Sequence, residues 1–285
     1  MALDNKIYIG WHNRLTDYTL SSTLAADSSY PLTNMLNQTK GEPTRWDMSS
    51  TTSTAITFSS ASAYAGNNFM LKGHNMPSDA TIRVRLWDGT GQSGTLVYDS
   101  TATSVAQIIP WGEMVAGIDP WGEYYGSTSN LDAVFHLGFD IVEFKSGQID
   151  INNPTPTNNI CEIDKMVLFY GWTPTYNFEH GAITTVEDNT ELYEMVSGGF
   201  RPSNFPSKRA MDIDFSAMSD EDRSQIMRIL VDNSNKANDI YIVANPNETG
   251  MSKFLNTSVY KRVINSGYTQ TAYNLNDYSL VLREN

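Results

Sequence analysis

Residues Thr81 to Trp87 read TIRVRLW, and the alternation is strict: Ile82, Val84 and Leu86 share one side, Thr81, Arg83 and Arg85 the other. A period of two belongs to a strand with one buried and one wet face. Comparable runs recur as TAITFSS (54–60), NNFMLKGHN (67–75, with Phe69 and Leu71 on one face), GTLVYDS (94–100), VFHLGFDIVEF (134–144), GQIDIN (147–152) and ICEIDKMVLFYGW (160–172). Turn-rich stretches separate them: DGTGQSG (88–94), a tight Ser146-Gly147 turn, and NNPTPTNN (152–159). Short strands at this spacing with no long helix predict a β-sandwich or jelly roll. In the last run the inward phase switches near Asp164 and Lys165, which predicts a bulge or burial on both faces. Ahead of the strands lie the apolar KIYIGW (6–11), a Ser/Thr-rich stretch, and one helical turn opened by Pro31 and ended by Gly41 and Pro43.

The character changes after Pro174. RAMDIDF (209–215) is a strict strand with Met211, Ile213 and Phe215 on one face and Asp212 and Asp214 on the other. SDEDRSQIMRILVDNSN (219–235) predicts the one convincing helix, with Ser219 as N-cap, Asp222 at the capping-box position and three acids in the first turn. Its apolar stripe is expected from Ile226, Leu230, Met227 and Val231. Four further strand-like runs follow, from 239–246, 258–264, 267–275 and 278–285. The expected organisation is therefore two domains, 1–174 and 175–285. The first is a β-sandwich with an N-terminal extension, the second a smaller α+β unit with one helix on a β-sheet or barrel.

Charge and composition narrow the function classes. The 32 acidic and 19 basic residues leave a net charge of −13, which argues against a nucleic-acid binder and gives no attraction to anionic lipid. The single cysteine, Cys161, excludes an intramolecular disulfide and a cysteine metal cluster, and its apolar setting predicts an inert core residue. No stretch approaches the ~18 apolar residues of a membrane span. MALDNKIYIG lacks the basic start and apolar run of a secretion signal, so synthesis and folding in a cytoplasm is the expectation. No P-loop, GxGxxG, GxSxG or HExxH occurs, and no cofactor is expected. The four histidines, His12, His74, His136 and His180, are scattered, and His74 is expected in a turn.

One segment stands apart. IIPWGEMVAGIDPWGEYYG (108–126) carries Pro-Trp-Gly-Glu twice, ten residues apart. That spacing is too short for a repeat architecture, which needs ~20 residues or more per unit. Three readings are open. Glu113 and Glu123 form a glycosidase acid pair; Trp111 and Trp121 fold back and cap the sandwich core; or Trp111, Trp121, Tyr124 and Tyr125 form an exposed platform for a partner or a sugar. A second aromatic segment, YEMVSGGFRPSNFP (193–206), reads as an irregular arm with Phe200 and Phe205 as anchors for a neighbouring subunit.

YPLTNMLNQTKGEPTRW, FMLKGHNMPSDATIRVRLWDG, VYDS and CEIDKMVLFYG follow one another in an order that resembles the galactose-binding-like, discoidin-type β-sandwich, in the version found in bacteriophage tail proteins. Asp164 stands where that pattern usually has glycine. The second half, through NFEHGAITTVEDNTELYEMVSGGFRPSNFPSKRAMDIDF, MSDEDRSQIM and LVLREN, resembles small tail-tip modules that pack into rings. The resemblance implies a non-enzymatic structural component of a phage tail tip or baseplate. Its partners would be other tail proteins and further copies of itself, its location the virion tail. The alternative is a carbohydrate-binding adhesion module that meets a host-surface glycan, and after it a glycan-degrading enzyme.

Overall fold

The computed structural model describes residues 6–37, 41–105, 133–178, 183–187, 191–194, 200–203, 207–232, 238–247, 256–262, 268–272 and 275–284. The chain is mainly β. In order, β1 is Tyr8–Gly10, β2 Thr19–Ser22, β3 Thr44–Asp47, β4 Ser53–His74, β5 Thr81–Trp87, β6 Leu96–Asp99, β7 Thr103–Ser104, β8 Val134–Asn152 and β9 Ile160–Phe169. There follow β10 Ile183–Glu187, β11 Glu191–Glu194, β12 Phe200–Ser203, β13 Lys208–Met218, helix α1 Asp220–Asp232, β14 Asp239–Val243, β15 Thr257–Arg262, β16 Tyr268–Ala272 and β17 Leu275–Glu284.

β2 to β9 build the expected sandwich, and two long strands join its layers. The predicted strands at 54–60 and 67–75 are one strand, β4, and those at 134–144 and 147–152 are likewise one, β8. β4 and β8 pair along most of their length, with register shifts between Ser59 and Tyr64 and between Gly66 and Asn68. Such irregularities add bend and twist, which carries both strands from one layer into the other. Layer one holds β2, the start of β4, the end of β8, β5, β6 and β7; layer two holds β3, β9, the end of β4 and the start of β8. Between them lie Ile56, Phe58, Ile82, Val84, Leu86, Ile149 and Ile151 from one side and Trp46, Phe69, Leu71, Ile163, Met166 and Leu168 from the other. Cys161 is fully buried in this core, and burial pushes its thiol up to about 12. The expected Ser146-Gly147 turn is continuous strand instead. Glycine is needed there because a Cβ on Gly147 would lie 2.2 Å from Phe58 Cζ.

The second unit is an open sheet in the order β1, β14, β15, β17, β13, β10, with β16 paired to β17. The first strand of the chain thus lies in the last sheet: Tyr8 pairs with Val243 and Ile9 with Ile242. Ile9 also exchanges backbone hydrogen bonds with Trp172 at 2.8 and 3.0 Å. One face of this sheet carries Ile7, Ile9, Met211, Ile213, Phe215, Ile240, Ile242, Tyr260, Leu280 and Leu282, covered by α1 through Ile226 and Ile229. Met227, expected in the stripe, is 37% exposed. Ser219 caps the helix as predicted, accepting from the Asp222 N–H at 3.1 Å. The Asp222 carboxylate accepts from the Thr175 N–H, which ties the inter-unit connection to the helix.

The other face of this sheet packs on layer two. Tyr8, Tyr241, Val243 and Val259 meet Met70, Val134, Val167 and Phe169. β9 is therefore buried on both faces, while its register with β4 runs unbroken from Ile163 to Phe169. Two buried ionic groups sit in this interface. Glu284 accepts from Arg209 Nη1 at 2.6 Å, from the Arg209 N–H at 2.8 Å and from Ser258 Oγ at 2.6 Å, and lies 3.1 Å from Lys72 Nζ. Burial pushes its carboxyl up, but the charges of Lys72 and Arg209, together with the hydrogen bonds from Ser258 and the Arg209 N–H, hold it down at about 2. Asp239 bonds Lys165; burial pushes its carboxyl up despite that charge.

Candidate functional site

On the outer face of layer one, side chains of five strands meet solvent together. The alternation that buries Ile82, Val84 and Leu86 on β5 leaves Arg83, Arg85 and Trp87 on the other side, half-buried. On β8, Ile149 and Ile151 point in, and Gln148 and Asp150 point out; on β4, Ile56 and Phe58 point in, and Thr57 out. Cross-strand register aligns these positions in rows. Ser21 of β2 lies opposite Thr57, Thr57 opposite Gln148, Gln148 opposite Arg85, and Arg85 opposite Asp99 of β6. The next row is Thr19, Ser59, Ser146, Trp87 and Leu96.

The charges on this face are paired. Arg83 grips Asp99 with two bonds, Nε to Oδ1 at 2.8 Å and Nη2 to Oδ2 at 2.5 Å. Arg85 Nη2 donates to Asp150 Oδ2 at 2.6 Å, and Gln148 Nε2 donates to Asp150 Oδ1 at 2.5 Å. The hydrogen bonds from Arg83 hold the Asp99 carboxyl down at about 2, against a smaller upward push from burial. Ser21 Oγ and Thr57 Oγ1 share a hydrogen bond of 2.7 Å. The Arg85 guanidinium lies 5.6 Å from the centre of the Trp87 ring, and Leu96, opposite Trp87, is 45% exposed. Behind β6, Tyr98 stacks on Phe139 at 4.1 Å and stiffens the strand.

A loop closes one end of the face. DGTGQSG joins β5 to β6, as its sequence predicted, with Gly91, Gln92 and Gly94 at positive φ. It folds back over the Ser59 and Ser146 row. Gly91 N–H donates to Ser59 Oγ at 3.1 Å, Gln92 N–H to Ser146 Oγ at 2.9 Å, and Ser146 Oγ to the Gly89 carbonyl at 2.6 Å.

Trp111, Glu113, Trp121, Glu123, Tyr124 and Tyr125 lie outside the described residues, as do Phe205 and His180. The segment read as an irregular arm contains a hairpin: β11 pairs with β12, and Glu194 lies opposite Phe200. His74 is not in a turn. It closes β4 opposite Ile163, buried, with neither ring nitrogen bonded. His12 bonds Asp17 at 2.8 Å and His136 bonds Asn68 at 2.9 Å. Asp212 shares the outer side of β13 with Asp214 and pairs with Arg283 at 3.1 Å. Asp164, the departure from the glycine of the family pattern, accepts from the Gly41 N–H at 3.1 Å and so anchors the segment before β3. Among the described residues, no three His, Cys, Asp or Glu side chains cluster as a metal site. Sequence reasoning recognised that Arg83 and Arg85 point outward but did not connect them with Gln148, Asp150 and Trp87.

No protein-family model matches the chain, and no curated protein does. Among solved structures, a putative alpha-L-fucosidase from Bacteroides thetaiotaomicron aligns at 13% identity and TM-score 0.39, over 58% of this chain and 30% of that one. Chitosan-binding module 1 of a chitosanase/glucanase from Paenibacillus sp. IK-5 aligns at 10% identity and TM-score 0.38, over 55% of this chain and 98% of the module. The family 32 CBM of C. perfringens NanJ, solved with galactose, aligns at 10% identity and TM-score 0.37, over 56% of this chain and 98% of the module. This chain thus spans less than a third of the fucosidase's length. Likeness at these scores carries no argument about function, and the face has to be read from its own residues.

Proposed function

We propose that this chain is a non-catalytic glycan-binding protein whose recognition surface is the outer face of layer one. The observation that carries the reading is the composition of that face. An indole and an exposed leucine side by side, Trp87 and Leu96, border a row of hydroxyl, amide and ion-paired groups from five strands. Sugars present apolar ring faces and a rim of hydroxyls that both donate and accept, and they need these two surfaces next to each other. The Asp99 carboxylate suits binding better than acid catalysis of hydrolysis. Asp99, held at about 2, stays ionised at neutral pH and has no proton to give a leaving group. A glycan array followed by titration calorimetry tests the reading. Wild type should bind, and Trp87→Ala should lose about 2 kcal/mol, about 30-fold in Kd, with an unchanged fold. Equal binding by the variant would remove this face from consideration.

A second reading, subunit assembly in a phage tail tip or baseplate with ring-forming copies of the chain, is favoured by one observation. The β11–β12 hairpin forms a two-stranded sheet of its own and leaves Tyr193 54% exposed. Mass spectrometry of purified virions tests it: the polypeptide should be present in intact particles, and its absence would refute a virion role.

A further inference from the structure

We infer that the ligand of the outer face is an uncharged, extended glycan chain that lies across the strands and occupies several subsites in a row. This deepens the glycan-binding reading and rests on it. Three features of the face set direction, length and charge.

Direction comes from the loop. Asp88–Gly94 is bonded down onto Ser59 and Ser146 and blocks passage along the strands beyond Trp87. Among the described residues, the way across the strands carries no such barrier in the register rows, from Asp99 over Arg85, Gln148 and Thr57 to Ser21. Length comes from strand spacing. Four gaps of about 4.8 Å make the row about 19 Å long, enough for several linked pyranose rings and far more than one.

Charge comes from the pairing. Among the described residues of these rows, two guanidinium groups and two carboxylates sum to zero, and each carboxylate already holds an arginine. An acidic glycan would meet arginines whose charge is already balanced and would bring its own charge beside Asp99 and Asp150. The net charge of −13 adds a general repulsion. A neutral chain brings no charge beside these carboxylates and needs no screening. Its hydroxyls meet Gln148, Thr57 and Ser21, while one ring faces Trp87 and Leu96.

The test is a binding series on the full chain with neutral cello-, manno-, xylo- and chito-oligosaccharides of increasing length, with alginate and heparin as anionic probes. For at least one neutral series, Kd should fall about tenfold or more from disaccharide to hexasaccharide. It should change less than about twofold between about 50 mM and about 500 mM NaCl. The double variant Ser21→Ala, Thr57→Ala, on the two strands of the row farthest from Trp87, should weaken hexasaccharide binding about tenfold while leaving disaccharide binding within about twofold. Monosaccharide binding as tight as hexasaccharide binding would overturn the extended-chain inference. So would preferred, salt-sensitive binding of alginate or heparin. Either result leaves glycan binding standing. Failure to bind any glycan would overturn both.

Discussion

His74 should make the stability of this protein depend on pH in a window that one substitution removes. The ring is buried at the end of β4 with both nitrogens unbonded, and burial lowers it from 6.5 to about 4. Above about pH 6.5 it is neutral in the folded and unfolded chain, so it adds no pH dependence. Below that, the unfolded chain takes up a proton that the folded chain refuses. Stability then falls by up to about 1.4 kcal/mol per pH unit until the folded ring protonates near pH 4. The gap between 6.5 and about 4 corresponds to about 3 kcal/mol in all. At about pH 5 the wild type should have lost about 2 kcal/mol from this group relative to about pH 7. His74→Leu keeps an apolar side chain in the site and leaves no ring to protonate. Urea denaturation of both proteins between about pH 7 and about pH 4.5 isolates the effect, because contributions from other groups cancel in the difference. The difference in unfolding free energy should move by about 2–3 kcal/mol in favour of the variant as pH falls. A difference that stays constant over that range would refute the argument.

The interface makes a separate acid-sensitive contribution. Glu284 is lowered from 4.5 to about 2, so its stabilisation is complete above about 4.5 and is lost as pH falls through about 2. Glu284→Gln should cost about 3–5 kcal/mol at neutral pH, because Lys72 and Arg209 stay buried without their counter-charge; urea titration measures it. Gly147→Ala should cost about 1–3 kcal/mol through overpacking against Phe58, and Phe58→Leu should relieve much of that cost in a double-variant cycle. A protease site inserted at the exposed Tyr176 should yield two fragments that co-elute under native conditions, since β1 and the buried ion pairs hold the units together; free separation would contradict this.

Local patterns made part of the fold legible. Ile82, Val84 and Leu86 announce the buried side of β5, and Ser219 marks the start of α1. What sequence concealed was non-local. Tyr8 finds its sheet at Val243, and no periodicity near residue 8 indicates that partner. Gly147 looks like a turn until Phe58 is placed against it. Asp222 sits where a capping box expects it, yet its carboxylate serves Thr175. The candidate site follows the same rule. The dense aromatics of the sequence lie at 108–126 and 193–206, whereas Trp87 is a lone ring at a strand end. Its neighbours Gln148 and Asp150 come from β8, Thr57 from β4 and Ser21 from β2, and only cross-strand register assembles them.

Hydrogen–deuterium exchange of the full chain with a saturating glycan, chosen as the best binder on the array, locates the ligand on the fold. Added protection is expected in residues 19–22, 55–59, 83–99 and 146–150. Protection confined to residues 106–132, or to the β11–β12 hairpin, would contradict that placement.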